Sequence, residues 1–234
     1  MKTSTLFLSL AITCLGASAW AYTPAPVTGG GTISGTIRFT GAVPAAPRLA
    51  VTKDPQVCGS DKADESLVVA PSKGLANAIV FLDKIDHGKP LTVGKAELDN
   101  TTCRYEPHVQ AFAVGTELHV KNNDAVLHNT HIRLPTSDVF NYALPEKGQA
   151  ISKKVTRTGL MKVGCDAGHT WMNAWIAVFD HPYFAVTDKE GHFALHDVPP
   201  GEYALLYWHE KLGKATQKVT VAAGGTVDAS HAFK

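Results

Sequence analysis

The chain has 234 residues, of which 44% are hydrophobic, and carries 22 basic against 21 acidic side chains. A nearly neutral chain lacks the basic surface that attracts nucleic acids or anionic membranes, so neither is expected as a partner. This length fits one large domain or two small ones, each able to bury a core.

The first 21 residues predict a secretory signal peptide. Lys2 supplies a short positive start, Leu6–Leu15 is an apolar stretch, and Ala19–Ala21 is a small-x-small cleavage site. The apolar stretch is shorter than the ~20 residues of a membrane span, and no later segment reaches that length. We therefore expect a periplasmic or secreted chain that begins near Tyr22 and has no membrane span.

The cysteine count indicates how the mature chain is stabilised. Cleavage would remove Cys14 and leave Cys58, Cys103 and Cys165, an odd number in an oxidising compartment. The simplest explanation is a disulfide between Cys58 and Cys103, with Cys165 kept as a metal-bound thiolate. The alternative is three reduced, buried cysteines, which is less common outside the cytosol.

Strand patterns dominate the rest of the chain. Residues 22–31 are rich in Pro, Gly and Thr and predict a flexible leader. Apolar residues then alternate with polar ones, as at Ile37 and Phe39 and again at Leu118 and Val120. Turn-forming residues separate these runs at short intervals. The pattern predicts an all-β fold of the sandwich type.

A short loop between two strand-like runs carries three soft metal ligands. Cys165, His169 and Met172 fall within eight residues, directly before the apolar run at 175–179. Thiolate and thioether suit Cu(I), and imidazole suits both copper oxidation states, whereas zinc rarely recruits Met. The loop therefore favours copper over zinc.

A second imidazole completes the set. His128 follows an Asn-Asn-Asp turn between two strand-like runs. With Cys165, His169 and Met172 it makes the trigonal site with a weak axial thioether that holds blue copper. Each residue also has a structural interpretation, because a buried Cys or Met often fills a core and a His often lies at the surface. The four together favour one copper ion.

The order of these motifs resembles the cupredoxins, the family of plastocyanin, pseudoazurin and amicyanin. The matching elements are the Asn-rich turn before Leu127-His128-Asn129, the Gly-x-x-x-Val-x-Cys run that ends at Cys165, and the loop with His169 and Met172. The resemblance covers roughly residues 75–180. It implies a Greek-key β-sandwich with one copper ion on His128, Cys165, His169 and Met172.

The same resemblance implies a route for electrons. They would leave through an exposed edge of His169, with Trp171 as the contact for a docking partner. The loop from Cys165 to His169 is one residue longer than that of amicyanin.

The character of the sequence changes near Asp180. The tail resembles the carboxypeptidase regulatory-like domains, which are small transthyretin-like β-sandwiches, over roughly residues 182–228. The matching residues are Thr187, Asp188, Gly191, Phe193, Val198–Gly201, Tyr203, Val219 and Val221. The resemblance implies a binding or spacer module. Since about 50 residues make a slim core, we expect the tail to pack on the copper domain or to borrow the N-terminal strand.

The predicted organisation is a signal peptide at 1–21, a leader and N-terminal strand region at 22–74, a copper domain at 75–180 and the tail at 181–234. His108, His131 and His181 remain candidates for a second copper site, although solvated or hydrogen-bonded histidines are the favoured interpretation.

The expected function is a periplasmic electron carrier with a redox partner such as a cytochrome or a dehydrogenase. The alternatives are a copper carrier or tolerance protein and a metal-free structural or binding β-module. The sequence has no His-Glu-x-x-His, no serine elbow and no phosphate loop, so no enzyme activity is predicted.

Overall fold

The computed structural model describes residues 22–43, 45 and 47–234. The predicted signal peptide, with Cys14, lies outside the described residues. Within the described part of the chain, regular structure is almost entirely β, which confirms the predicted fold class. No helix among these residues is long and apolar enough to cross a membrane.

The regular elements are one single-turn helix and a series of mostly short strands. In the first half they are β1 (Thr23–Pro24), β2 (Gly31–Phe39), β3 (Arg48–Ala50), α1 (Pro55–Cys58), β4 (Asp61–Ala63), β5 (Ile79–Leu82), β6 (His87–Gly88), β7 (Lys95–Thr101), β8 (Arg104–Glu106), β9 (Val109–Ala113) and β10 (Glu117–Asn122). In the second half they are β11 (His128–Leu134), β12 (Ser137–Leu144), β13 (Ala150–Lys154), β14 (Gly159–Gly164), β15 (Asn173–Phe179), β16 (Phe184–Val186), β17 (His192–Val198), β18 (Gly201–His209), β19 (Gly213–Val221), β20 (Thr226–Asp228) and β21 (His231–Phe233).

Strands β7 to β15 form the central sandwich. One sheet has the strand order β13-β10-β7-β8 and the other β12-β11-β14-β15-β9, so many neighbours are non-consecutive, as in a Greek key. Leu118 and Val120 of β10 and Met161 and Val163 of β14 are fully buried in one core. The alternation expected in β10 is confirmed, and β14 alternates in the same way.

Strands β2, β5 and β16 to β21 form the terminal sandwich. One sheet has the order β16-β5-β18-β19, and the other has the order β17-β2-β20, with β21 also paired to β2. Ile33 and Ile37 of β2, Leu205 and Tyr207 of β18 and Val80 of β5 are fully buried in its core. The tail thus completes its core with two strands from earlier in the chain, as its small size led us to expect.

Strand pairing differs from the predicted organisation at two points. Residues 79–82 fall in the segment predicted as the copper domain, but β5 pairs with β16 and β18 of the terminal sandwich. The reason is that Ile79, Val80 and Leu82 are buried there. The leader was expected to be flexible, yet Thr23 and Pro24 pair in register with His87 and Gly88.

The two sandwiches meet face to face along β15 and β18. A small apolar cluster joins Val109 and Ala177 of the central sandwich to Ile79 and Trp208 of the terminal one. Strand β15 is therefore covered on both faces, which explains its continuous apolar run.

Residues Arg48–Ala63 form a separate flap on the central sandwich, called here the cap. It consists of the antiparallel pair β3–β4 with α1 between them. Leu49 and Val51 pack against the central core, and Cys58 forms a disulfide with Cys103 in the turn between β7 and β8. The predicted disulfide is confirmed, and Cys165 is free.

Candidate metal centre

His128 begins β11 and is held by the turn that precedes it. Asn122 at the end of β10 donates its side-chain amide to the carbonyls of Val126 and Leu144, at 2.9 and 2.8 Å. Asn122 Oδ1 accepts the backbone N–H of Asp124 at 3.0 Å. The turn thereby brings Asp124 Oδ2 to 2.9 Å from His128 Nε2.

The Asp124 carboxylate is itself fixed by backbone groups. It accepts the N–H of Thr102 at 2.8 Å and that of Cys103 at 2.7 Å. Both donors have left-handed backbone conformations in the turn from β7 to β8. The disulfide-bearing turn and the His128 ring are thus joined through one carboxylate.

Cys165 directly follows β14 and opens the ligand loop, Cys165–Met172. Its Sγ accepts the backbone N–H of Asn129 at 3.4 Å, which ties the loop to β11. Gly168 adopts φ 96°, a conformation that L side chains rarely take. Met172 N donates to the carbonyl of His169 at 3.0 Å and closes the loop before β15.

The loop brings His169 back over Cys165 despite its additional residue. Cys165 Sγ lies 3.6 Å from His169 Nδ1, and the Nδ1 atoms of His128 and His169 lie 3.1 Å apart. Metal bonds of ~2.0 Å to nitrogen and ~2.3 Å to sulfur at tetrahedral angles give separations of roughly 3.3 Å between nitrogens and 3.5 Å between nitrogen and sulfur. These two separations match those around one ion, and the ligand atoms of all three residues lie within 4.8 Å of one another.

Each imidazole turns its other nitrogen to a carboxylate. Nε2 of His128 faces Asp124, and Nε2 of His169 lies 2.8 Å from Asp54 Oδ2 on the cap. Donation of both Nε2–H groups assigns a lone pair to each Nδ1, and these lone pairs converge with the Cys165 sulfur. One cation between them satisfies all three, and this soft donor set suits copper.

The surroundings of Cys165 and His169 favour the ionisation states that bind a metal. Burial raises the pKa of the Cys165 thiol, but the interaction with the His128 ring and the hydrogen bonds from backbone N–H groups outweigh burial and lower it. Burial lowers the pKa of His169, and Asp54 opposes this only in part. For His128 burial acts downward, but Asp124 and Cys165 outweigh it and raise the pKa. A thiolate and a neutral His169 are the metal-binding forms.

The structure brings together three of the four predicted ligands as one buried cluster, His128, Cys165 and His169. Met172 is buried in the same hydrophobic core as Cys165. A second triad, Cys103 with Asp124 and His128, overlaps the first, but its cysteine is in the disulfide.

The expected exposure of the electron exit is wrong. His169 has no exposed surface and Trp171 is only 7% exposed. The cap covers His169, and the Trp171 indole donates its Nε1–H to the carbonyl of Cys103 at 3.0 Å. The exposed apolar side chain near the cluster is instead Leu127, directly before His128 and 41% exposed.

The other candidate histidines have partners of their own. His108 pairs with Glu210, His131 Nδ1 lies 2.5 Å from Asp166 Oδ2, and His181 Nδ1 accepts the backbone N–H of Tyr183 at 3.2 Å. Among the described residues, none of the three joins a group of possible metal ligands. Each of the three therefore has at least one polar partner, in agreement with the favoured interpretation.

Sequence reasoning missed both carboxylates. Asp124 lies four residues before His128 in the turn already identified, so its spacing was available as a signal. Asp54 lies 115 residues before His169, and nothing in its local sequence marks it.

Comparison with known proteins gives a family match for part of the chain. Residues 153–229 match polysaccharide lyase family 4, domain II. This range is about a third of the chain, begins in β13 and runs through most of the terminal sandwich. The likeness of the tail to carboxypeptidase regulatory-like domains stays a prediction. No curated protein matches the chain.

The similar solved structures include several cupredoxins. A purple cupredoxin from Nitrosopumilus maritimus is 23% identical over 36% of this chain and 99% of its own, with a TM-score of 0.31. A reduced amicyanin variant is 19% identical over 43% of this chain and 98% of its own, with a TM-score of 0.33. A copper-containing nitrite reductase from Thermus scotoductus is 18% identical over 50% of this chain and 27% of its own, with a TM-score of 0.31. At such scores these likenesses carry no weight for function.

Proposed function

We propose that this chain is an exported mononuclear copper protein that carries single electrons. The observation that carries the proposal is the convergence of two imidazole Nδ1 atoms and one thiol sulfur in a buried pocket, with both outer ring nitrogens on carboxylates. Buried polar groups require partners, and one metal ion between the two Nδ1 atoms and the sulfur would satisfy all three at once.

The residues that would hold copper are His128, Cys165 and His169, with Met172 as the weak axial ligand. Copper supplies a one-electron Cu(II)/Cu(I) couple at this position. The ligand loop is anchored by β14 before it and β15 after it, and its donors are buried. Anchoring on strands keeps the ligands in place, and burial excludes water, so little rearrangement is expected between oxidation states.

The expected partner is a redox protein such as a cytochrome or a dehydrogenase, and the chain itself is proposed as a carrier rather than an enzyme. Export is supported by the predicted signal peptide and by the disulfide between Cys58 and Cys103, a bond typical of oxidising compartments. The terminal sandwich is proposed as a spacer or binding module.

The test is copper titration of the mature protein, followed by visible and electron-spin spectra. We expect one copper per chain and an intense thiolate-to-copper band in the oxidised form. Cys165→Ser should abolish the band. Met172→Leu conserves volume and should keep the colour while raising the reduction potential, because the axial ligand tunes it. His119→Gln, on a histidine bonded to Ser152 at 2.9 Å, is the control and should change nothing.

Two results would contradict this proposal. Substoichiometric copper without a thiolate band would indicate the metal-free module. A coloured protein that shows no reversible potential and rapidly yields its copper to a chelator would indicate a copper carrier or tolerance protein.

A further inference from the structure

The cap closes over the ligand loop on the side of His169. Lys53 donates its ammonium group to the backbone carbonyl of Ala167. A Cβ placed on Gly168 would lie only 3.1 Å from Lys53 Cδ, so the two chains are in close contact. With Asp54 on His169, the cap touches three consecutive residues of the ligand loop.

The Asp54 side chain forms its hydrogen bond with His169 rather than with the helix that follows it. It stands directly before α1 with φ 51°, and its side chain makes no capping hydrogen bond to that helix. Left-handed backbone is uncommon for residues other than glycine. The carboxylate instead accepts from His169 Nε2 at 2.8 Å.

The cap is also held firmly against the central sandwich. The disulfide from Cys58 to Cys103 joins it to the same turn whose backbone fixes Asp124. Leu49 and Val51 pack on the central core at its other end. The position of Asp54 is therefore set by covalent and apolar contacts that do not involve His169.

We propose that Asp54 is a positioning residue of the metal centre and that the cap is the part of the chain that closes this centre. The inference rests on the copper function proposed above. Asp54 holds the Nε2 proton of His169, so the ring keeps one tautomer and one orientation, with Nδ1 toward Cys165 and His128. A carboxylate on the outer nitrogen makes an imidazole a stronger donor.

Two consequences follow for a bound copper ion. A stronger, negatively charged donor pair favours the more highly charged oxidation state, so Asp54 lowers the reduction potential. Because Asp54 fixes the His169 ring and the disulfide holds the cap in place, the bound metal should also be released slowly. Loss of such an outer partner typically weakens metal binding on the order of 10-fold to 100-fold.

The experiment compares the whole mature protein with Asp54→Asn, Asp54→Ala and Asp54→Glu. Asp54→Ala should raise the reduction potential and speed the transfer of copper to a chelator at least about 10-fold. Asp54→Asn removes the charge but keeps an acceptor and should fall between Ala and wild type, whereas Asp54→Glu should recover part of the effect. Asp61→Asn removes the same charge from β4 of the cap, where Asp61 pairs with Arg48, and is the matched control.

A readout without metal separates this inference from the copper function. Nitrogen NMR of the metal-free protein should show His169 as one Nε2-protonated tautomer in wild type and as a mixture in Asp54→Ala. That change together with failure of wild type to bind copper would reject the function but keep the positioning role. An unchanged tautomer, or a coloured Asp54→Ala protein with the wild-type potential and release rate, would overturn the inference.

Discussion

Leu127 shows how one residue changes the expected route of electrons. The ligand loop was predicted to reach the surface at His169 and Trp171, but both side chains are buried. Leu127 is exposed and is covalently joined to His128, whose ring belongs to the donor cluster. Under the proposed function, the apolar contact for a redox partner would therefore lie beside His128 rather than beside His169.

Leu127→Asp should slow electron transfer to a soluble cytochrome roughly tenfold, because a factor of ten corresponds to ~1.4 kcal/mol, less than the burial of a whole leucine. Stopped-flow mixing measures the rate, and the copper spectrum should stay unchanged. Val93→Asp is the matched control, since Val93 is also an exposed apolar residue, at 52%. It lies before the start of β7, whereas Thr102, which contacts Asp124 beside His128, follows the end of that strand. Equal slowing by both variants would show that Leu127 is not the docking contact.

Local sequence was sufficient to single out the candidate donors but not their surroundings. Cys165, His169 and Met172 share one loop, and His128 follows a recognisable turn, so short-range patterns identified all of them. His169 is buried where it meets Asp54 of the cap, which the disulfide and the packing of Leu49 and Val51 hold against the central sandwich. Contacts between residues so far apart in sequence arise from tertiary packing, which spacing and periodicity do not record.

At the scale of elements, the hairpin of β18 and β19 joins the two sandwiches through polar groups. Glu210, directly after β18, pairs with His108 and accepts the indole Nε1–H of Trp175 at 3.0 Å. The preceding His209 is buried, and its Nδ1 accepts the backbone N–H of Lys211 at 3.3 Å. That hydrogen bond requires an unprotonated Nδ1.

His209 should make the stability depend on pH. Burial lowers its pKa from 6.5 to about 4, with Glu210 opposing only in part. Below about pH 6.5 the unfolded chain binds a proton that the folded chain refuses until about pH 4, so stability falls as the pH decreases across this window. The loss of stability should reach roughly 3 kcal/mol, at ~1.4 kcal/mol per pH unit.

Urea unfolding across this pH range measures the effect. His209→Asn keeps an acceptor for the Lys211 N–H but cannot be protonated, so its stability should decline less steeply than that of wild type. Groups that titrate elsewhere act equally on both proteins and cancel in the difference. Parallel stability profiles would show that His209 is not buried in its neutral form.

At the scale of the molecule, the terminal sandwich depends on two strands from outside the tail. These are β2, from the N-terminal region, and β5, from the segment predicted as the copper domain. The one clear strand pattern before the cysteines was recognised at Ile37 and Phe39, but its partners were not. In the structure β2 pairs with β17, β20 and β21. Alternation identifies a strand and its buried face, whereas pairing over such a separation is decided by which apolar surfaces remain to be covered.

Ile37→Ala should therefore destabilise the terminal sandwich, although Ile37 lies far from the tail in sequence. Ile37 is fully buried in the core of the terminal sandwich, so the truncation should cost about 2–5 kcal/mol, and Ile37→Val about 0.5–1.5 kcal/mol. Denaturant midpoints measure both. A loss below that of Ile37→Val would place β2 outside the core.

The split origin of the terminal sandwich has a consequence for biosynthesis. A chain emerges amino end first, so β2 is made early, whereas its first partner, β17, begins only at His192. The central sandwich, β7 to β15, is complete before then. We expect the central sandwich to fold first, while Ile33 and Ile37 of β2 still lack the strands that complete their sheet. That nascent strand is the place where a chaperone, or a second unfinished copy, would bind.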